Sequence, residues 1–217
     1  MSFQIKKFHN ESKWKKAIFA KLDSIKGESI VVPGGKTPLF LYKDYFSTKL
    51  RKTLILSDER ITKDISASNY NLIKSYSKTK VIKLCEFPVS DYSDVNLNKV
   101  SDSILSCPLP RIGLLGLGDD GHFASIFSNS NTIKQDRRGL VKIIYTESAD
   151  EKYRVTLTEQ YIKSIQELLF IVKGQKKFNI MNQIEKDLSS IDLLPIGKLI
   201  KSYNGNMTMY YCLNDKA

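Results

Sequence analysis

The segment Arg111-Ile-Gly-Leu-Leu-Gly-Leu-Gly-Asp-Asp-Gly-His-Phe-Ala-Ser-Ile-Phe127 constrains the fold of this chain more than any other. Its first half, Ile112 to Leu117, is a short apolar run interrupted only by glycine, the pattern of a strand buried on both faces of a parallel sheet. Gly118 to His122 then form a polar turn, and Phe123-Ala-Ser-Ile-Phe127 reads as the start of a helix. This order places Asp120 and His122 at the carboxyl end of a strand, where open α/β sheets bind ligands. His122 is one of two histidines in the chain. A tight turn holding a satisfied histidine is the plain alternative.

The rest of the sequence alternates between strand and helix patterns. Trp14, Ile18 and Leu22, with Ala17 and Ile25, fall on one face of a helix over Asn10–Ile25. Strands are expected at Ser29–Val32, Thr53–Ser57, Val81–Leu84, Val141–Tyr145, Tyr153–Leu157, Leu168–Val172 and Met207–Leu213. Helices are expected at Leu39–Phe46, from the Ser68 cap onward, over Asp94–Leu105 and Thr158–Ile165, from Lys177 to about Leu188, and from Pro195. Ser128 to Gly139 is polar and reads as a loop. Such alternation specifies an α/β fold with a largely parallel sheet. A length of 217 residues suits one domain over 1–217.

Composition narrows the class. The chain is 41% hydrophobic and 26% charged, an ordinary globular balance. No apolar run has the length of a membrane span, and Met1-Ser-Phe-Gln-Ile-Lys-Lys lacks the apolar core of a signal peptide. Cys85, Cys107 and Cys212 are odd in number, widely separated and without metal-ligand spacing, which fits free thiols in a reducing cytoplasm. Neither a metal nor a cofactor is expected. The formal charge of +11 admits a nucleic acid, an anionic small substrate or a lysine-rich background. The lysines are dispersed and form no stripe interleaved with aromatics, so the background reading is preferred, with steering of an anionic substrate as a secondary effect.

Three short motifs carry possible chemistry. Gly34-Gly35-Lys36-Thr37-Pro38 lies between a strand and a helix start, and is either a phosphate cradle of converging N–H groups or a plain turn. It lacks the spacing of a Walker loop. Gly116, Gly118 and Gly121 spell G-x-G-x-x-G, but Asp119 and Asp120 would set negative charge beside a pyrophosphate, so this match is a false positive. Asp58-Glu59-Arg60 is either a solvated charge cluster or a place where the Arg60 fork meets an anion. Ser57 and Ser125 lack a nucleophile elbow, and His9 sits in a polar, exposed segment.

Taken together, Gly34-Gly-Lys-Thr-Pro38, Asp58-Glu-Arg60, Ser68-Asn69, Gly116 to Phe127 and Arg154-Val-Thr-Leu-Thr158 resemble, in content and order, the 6-phosphogluconolactonases. Gly174-Gln-Lys-Lys177 and Asp215-Lys-Ala217 are similar to later landmarks of that family. The related glucosamine-6-phosphate deaminases carry Asp-Glu-Tyr where this chain has Asp58-Glu-Arg60, and an Asn-Glu-Pro segment where it has Ala124-Ser-Ile-Phe127. The lactonases usually have threonine where Phe123 stands, serine where Lys36 stands, and Pro-Gly where Ser128-Asn129 stand. The resemblance implies a Rossmann-like three-layer α/β/α sandwich with a largely parallel sheet. It implies hydrolysis of 6-phosphogluconolactone with His122 as general base and Asp120 beside it. It further implies that Gly34, Gly35, Lys36, Thr37, Asp58, Arg60, Gly118, Arg154 and Lys177 surround the sugar phosphate. The expected partner is that small substrate and neither nucleic acid nor membrane, for a monomer or homodimer. Deaminase chemistry, or sugar-phosphate sensing without catalysis, are the alternatives.

Overall fold

The computed structural model describes residues 2–48, 52–86, 88–89 and 91–213; the Asp215-Lys-Ala217 landmark lies outside them. The first half of the chain supplies β1 (Ser2–Phe8), α1 (Glu11–Ser24), β2 (Ser29–Val32), β3 (Thr53–Leu56), β4 (Asp58–Arg60), α2 (Asn69–Lys74), β5 (Lys80–Ile82) and α3 (Leu97–Leu105). The second half supplies β6 (Ile112–Gly116), β7 (Asn131–Gln135), β8 (Val141–Tyr145), β9 (Tyr153–Leu157), α4 (Glu159–Ser164), β10 (Glu167–Lys173), α5 (Phe178–Lys186), α6 (Pro195–Ser202) and β11 (Asn206–Cys212). Seven strands pair in the order β1-β11-β10-β6-β2-β3-β5, every neighbour parallel. Ile30, Val31 and Val32 on β2, Leu114 and Leu115 on β6, and Leu168 to Val172 on β10 are all buried. Consecutive residues of a strand point to opposite faces, so both faces of the sheet are covered, and helices flank it.

α1 shows how local sequence and packing agree. The Asn10 side chain accepts from Lys13 N at 2.9 Å and caps the helix, while Trp14, Ile18 and Leu22 face the core. Trp14 Nε1 donates to the Tyr210 carbonyl at 2.9 Å, tying α1 to β11. The strand over residues 2–8 gives a weaker signal, because its outward positions carry lysines and only Phe3, Ile5 and Phe8 pack inward. It pairs with β11, which joins the two ends of the described chain in one sheet edge.

Several expectations change. The helix foreseen over Leu39–Phe46 is present over 39–45, but it widens into a π turn over Leu41–Tyr45, closed by Phe46 N donating to Leu41 O at 2.7 Å. The Tyr42 hydroxyl there donates to the Pro33 carbonyl, which anchors the turn beneath the glycine loop. Phe123 to Phe127 do not begin a helix; Phe123 and Ile126 form an isolated antiparallel bridge. The presumed loop at 128–139 contains β7, whose five residues are all exposed, so no burial pattern could mark it. Finally, β4, β9, β8 and β7 form a second, antiparallel sheet, absent from a purely alternating reading.

Ser57 is the corner between the two sheets. Its N–H donates to Val32 O at 2.8 Å on the parallel side, and its carbonyl accepts from Leu157 N at 2.9 Å on the antiparallel side. Beyond that corner Asp58 and Glu59 are buried, which removes the solvated-cluster reading. Glu59 Oε1 accepts from the N–H groups of Arg60 and Asn69, both at 2.8 Å. Its Oε2 accepts from Tyr70 N at 2.7 Å and Ser68 Oγ at 3.1 Å. A carboxylate thus satisfies the first turn of α2, whose N–H groups have no partner within the helix. Burial pushes the Glu59 carboxyl above the ordinary range, and those N–H groups pull against it.

The chain steps from β2 to β3 and β5 in one direction, and from β6 to β10 and β11 in the other. β2 and β6 are neighbours, so their carboxyl ends diverge and leave a crevice at the switch point.

Glu59→Ala should destabilise the protein by roughly 3 kcal/mol, because several buried donors lose their acceptor at once. Urea denaturation of the variant against wild type measures it. A change within about 0.5 kcal/mol would mean that water replaces the carboxylate.

Candidate functional site

Four neighbouring strands deliver residues to the crevice from their carboxyl ends. Gly34 and Gly35 follow β2, Asp58 and Arg60 follow β3, Gly118 and His122 follow β6, and Lys177 follows β10. Arg154 reaches in from β9 of the antiparallel sheet. Together they line a cleft of about 210 Å³. A larger groove of about 960 Å³ lies alongside, over α1. Lys36 and Thr37 are exposed and line that groove, so the structure separates them from the other residues of the glycine loop. Only a short helical turn, over 39–45, follows this loop, too short to add much helix-dipole potential to the cleft.

The turn after β6 fixes His122 from several directions. Gly118 N donates to the His122 carbonyl at 2.8 Å, and Gly121 N donates to the Gly118 carbonyl at 3.2 Å. Ile196 N, in the first turn of α6, donates to the Gly121 carbonyl at 3.0 Å. Gly121 has φ +78° and Ala124 φ +50°. A non-glycine residue in the left-handed region costs of order 1 kcal/mol or more and persists only where its surroundings hold it. A Cβ on Gly118 would overlap the His122 ring and the Asp120 carboxylate, so only glycine lets the imidazole lie here.

Asp120 both shapes the turn and orients the imidazole. Its Oδ1 lies 3.2 Å from His122 N and 2.6 Å from His122 Nδ1. The hydrogen bond from His122 holds the Asp120 carboxyl below its ordinary range, with burial opposing. An ionised carboxylate at this distance requires the proton on Nδ1, which leaves Nε2 as the acceptor. The ring packs on Phe127 at 4.2 Å between centroids.

The cationic side of the cleft is equally constrained. Arg60 Nη1 donates to the Ala67 carbonyl at 2.7 Å and to Asn69 Oδ1 at 2.5 Å, while its buried Nε has no protein partner. Asn69 Nδ2 donates back to the Asp58 carbonyl at 2.9 Å. A Cβ on Gly34 would overlap the Asn69 side chain, so Gly34 and Asn69 belong to one packing unit with Arg60. Asn69, absent from the residues singled out for the site in the sequence, was marked there by its place after the Ser68 cap and within the Ser68-Asn69 motif.

Asp58 lines the cleft with both oxygens already engaged. Ser57 Oγ donates to Oδ1 at 2.9 Å and Ser125 Oγ to Oδ2 at 2.7 Å, while Arg154 Nη1 lies 3.6 Å from Oδ2. Arg154 Nε also donates to the Glu151 carbonyl at 2.9 Å. Burial lowers the Arg154 pKa and Asp58 opposes it; arginine remains charged throughout. Lys177 pairs with Asp119 at the rim. Ser125 is fully buried on Asp58 and holds the turn to the second sheet. Burial pushes the Cys85 thiol up to about 12, so it has little thiolate character.

A switch-point cleft with an oriented imidazole on one wall and anchored guanidinium groups on the other defines an α/β enzyme for small anionic substrates. The family model for glucosamine-6-phosphate isomerases and 6-phosphogluconolactonases matches residues 11–209, and the chain belongs to this family. A 6-phosphogluconolactonase of Thermotoga maritima is 31% identical over 175 residues, covering 73% of this chain and 74% of the relative. One from Helicobacter pylori is 25% identical over 198 residues, covering 86% of this chain and 84% of the relative. The crystal structure of a 6-phosphogluconolactonase from Shewanella baltica superposes with a TM-score of 0.82 over 98% of both chains at 20% identity, a likeness of fold.

Gly118→Ala should break the His122–Asp120 bond without unfolding the protein. A crystal structure of the variant should show the imidazole displaced from Asp120. A ring left in place would mean that the turn yields and that the glycine is dispensable.

Proposed function

We propose that this chain hydrolyses 6-phospho-D-glucono-1,5-lactone to 6-phosphogluconate, the lactone step of the oxidative pentose phosphate pathway. The observation that carries the reading is the His122–Asp120 pair, held at 2.6 Å beside the Arg60 wall of the cleft. Family membership and the arginine in Asp58-Glu-Arg60, where deaminases have tyrosine, support it.

A δ-lactone is an activated ester, so water can attack C1 without a covalent enzyme intermediate. His122 Nε2 takes a proton from that water as the new C–O bond forms. Asp120 stabilises the resulting imidazolium. When the C1–O5 bond breaks, the imidazolium returns the proton to the departing ring oxygen, and the product acid ionises. The oxyanion formed at C1 needs donors. The N–H groups of Gly118 and Gly121 are spent inside the turn, so Arg154 and Lys177 are the remaining donors for the oxyanion or the phosphate. Arg60, with its open Nε, and the Gly34-Gly35 backbone take the phosphate. Lys36 and Thr37 line the neighbouring groove and not the cleft. The residues work as one domain over 1–217, as a monomer or homodimer in the cytoplasm, where the free thiols Cys85, Cys107 and Cys212 stay reduced.

Purified protein should accelerate decay of freshly generated 6-phosphogluconolactone above the uncatalysed background. Release of ammonia from glucosamine-6-phosphate with the lactone untouched would sink the reading. His122→Asn should lower kcat by about 100-fold or more, with little change in product binding by calorimetry. Asp120, held below the ordinary carboxylate range, keeps its charge beside the ring at pH values where a free carboxylate begins to protonate. A folded His122→Asn protein with near wild-type kcat would move the base elsewhere.

Arg60→Ala should weaken binding of the phosphorylated lactone by about 1.5–3 kcal/mol, read as a rise in KM. Unchanged KM would return Arg60 to a purely structural role as the partner of Ala67 and Asn69.

A further inference from the structure

We propose that the lysine groove over α1 is an electrostatic capture surface for the phosphorylated substrate, and that it adds long-range attraction to the short-range contacts of the cleft. The inference rests on the reading of the cleft as a sugar-phosphate site. A phosphate monoester carries a charge of about −1.5 to −2 at pH 7. At the cleft its short-range donors are Arg60, Arg154 and Lys177. Arg154 lies against Asp58, Lys177 is paired with Asp119, and Asp120 sits beside His122. Arg60, Arg154 and Lys177 line the cleft with Asp58, while Asp119 and Asp120 stand beside it, bonded to Lys177 and His122, so nearby carboxylates offset much of the cleft's positive charge at a distance.

The adjoining groove is different. Its walls carry Lys15, Lys16, Lys36, Lys43 and Lys173 against only Glu11 and Asp44, an excess of three positive charges among the described residues. Glu11 is shared by Lys15 and Lys173, both at 3.0 Å, and the bond from Lys173 holds its carboxyl below the ordinary range. Lys15 and Lys43 also lie over aromatic rings, 5.3 Å from the Phe40 centroid and 4.5 Å from the Tyr76 centroid, contacts that help hold the ammonium groups in place.

Groove and cleft adjoin at two points in the chain. Gly34 and Gly35 line the cleft while Lys36 and Thr37 line the groove; Lys173 lines the groove while Lys177 lines the cleft. At about 960 Å³ the groove is too open to grip a lactone. Its role is exerted at range, raising the local concentration of the anion at the mouth of the cleft. Each exposed ammonium contributes little as a pair, but their fields add, and salt screens them over a Debye length of about 10 Å at 0.1 M.

The test is the triple variant Lys15→Gln/Lys16→Gln/Lys43→Gln, none of which lines the cleft. At roughly 0.01 M ionic strength its kcat/KM for 6-phosphogluconolactone should fall about 3–10-fold below wild type. The difference should vanish near roughly 0.5 M, where screening is almost complete. kcat should be unchanged at both, and the corresponding Lys→Arg triple variant should behave as wild type. Equal kcat/KM for Gln variant and wild type at low salt would overturn the proposal. So would a loss that persists at high salt or is not rescued by arginine, because it would then reflect structure and not charge. If wild type turned over no lactone at all, the proposed function would fail first, and this inference with it.

Discussion

Two adjacent buried carboxylates, Asp58 and Glu59, hold this molecule's working parts in register. A buried carboxylate must be met by donors or surrender its charge. Here the donors come from separate places in the fold. Glu59 draws in the first turn of α2, and with it Asn69. Asp58 draws in Ser125 from the turn after β6 and Arg154 from β9. The parallel sheet, the antiparallel sheet, α2 and the turn after β6 thus converge on two consecutive side chains. Arg60, next in sequence, is aimed by the same network, because Asn69 fixes its guanidinium.

A second constraint is steric. Glycine at position 34 admits the Asn69 side chain, and glycine at position 118 admits the imidazole of His122. At both sites a polar side chain needed in the cleft occupies the volume that a Cβ would take. The apparent nucleotide fingerprint of Gly116, Gly118 and Gly121 therefore has another origin. Gly118 makes room for the His122 ring, and Gly121 takes a left-handed conformation so that α6 can bond to its carbonyl. The charge arrangement follows a similar economy. Every cation but Arg60 is close to a carboxylate in or beside the cleft, which fixes its position but reduces its reach into solvent.

The general fold and most of the residues gathered at the cleft were legible in the sequence. The apolar strands β2, β6 and β10, the capped helix α1 and the strand-end position of His122 all follow from local pattern, because parallel strands buried on both faces read as continuous apolar runs. The order of short motifs pointed to the family whose model matches residues 11–209. Sequence also singled out His122, Asp120, Arg60, Arg154 and Lys177, which the structure gathers around one cleft.

Other features depended on tertiary contacts alone. Nothing local announced that Asp58 and Glu59 are buried, since a charged triplet ordinarily faces water; their donors arrive from residues 68–70, 125 and 154. β7 escaped notice because a fully exposed edge strand carries no apolar alternation. Phe123 to Phe127 were expected to be helical, yet a bridge and a positive φ at Ala124 hold them as a turn. Lys36 and Thr37 sit beside the glycines in sequence but line a different surface. Sequence by itself determined the parallel α/β core and the chemical groups available, because burial periodicity and residue type are local properties. Only the tertiary structure decided which charges are paired, which are buried and which still reach the substrate, because those depend on partners distant along the chain.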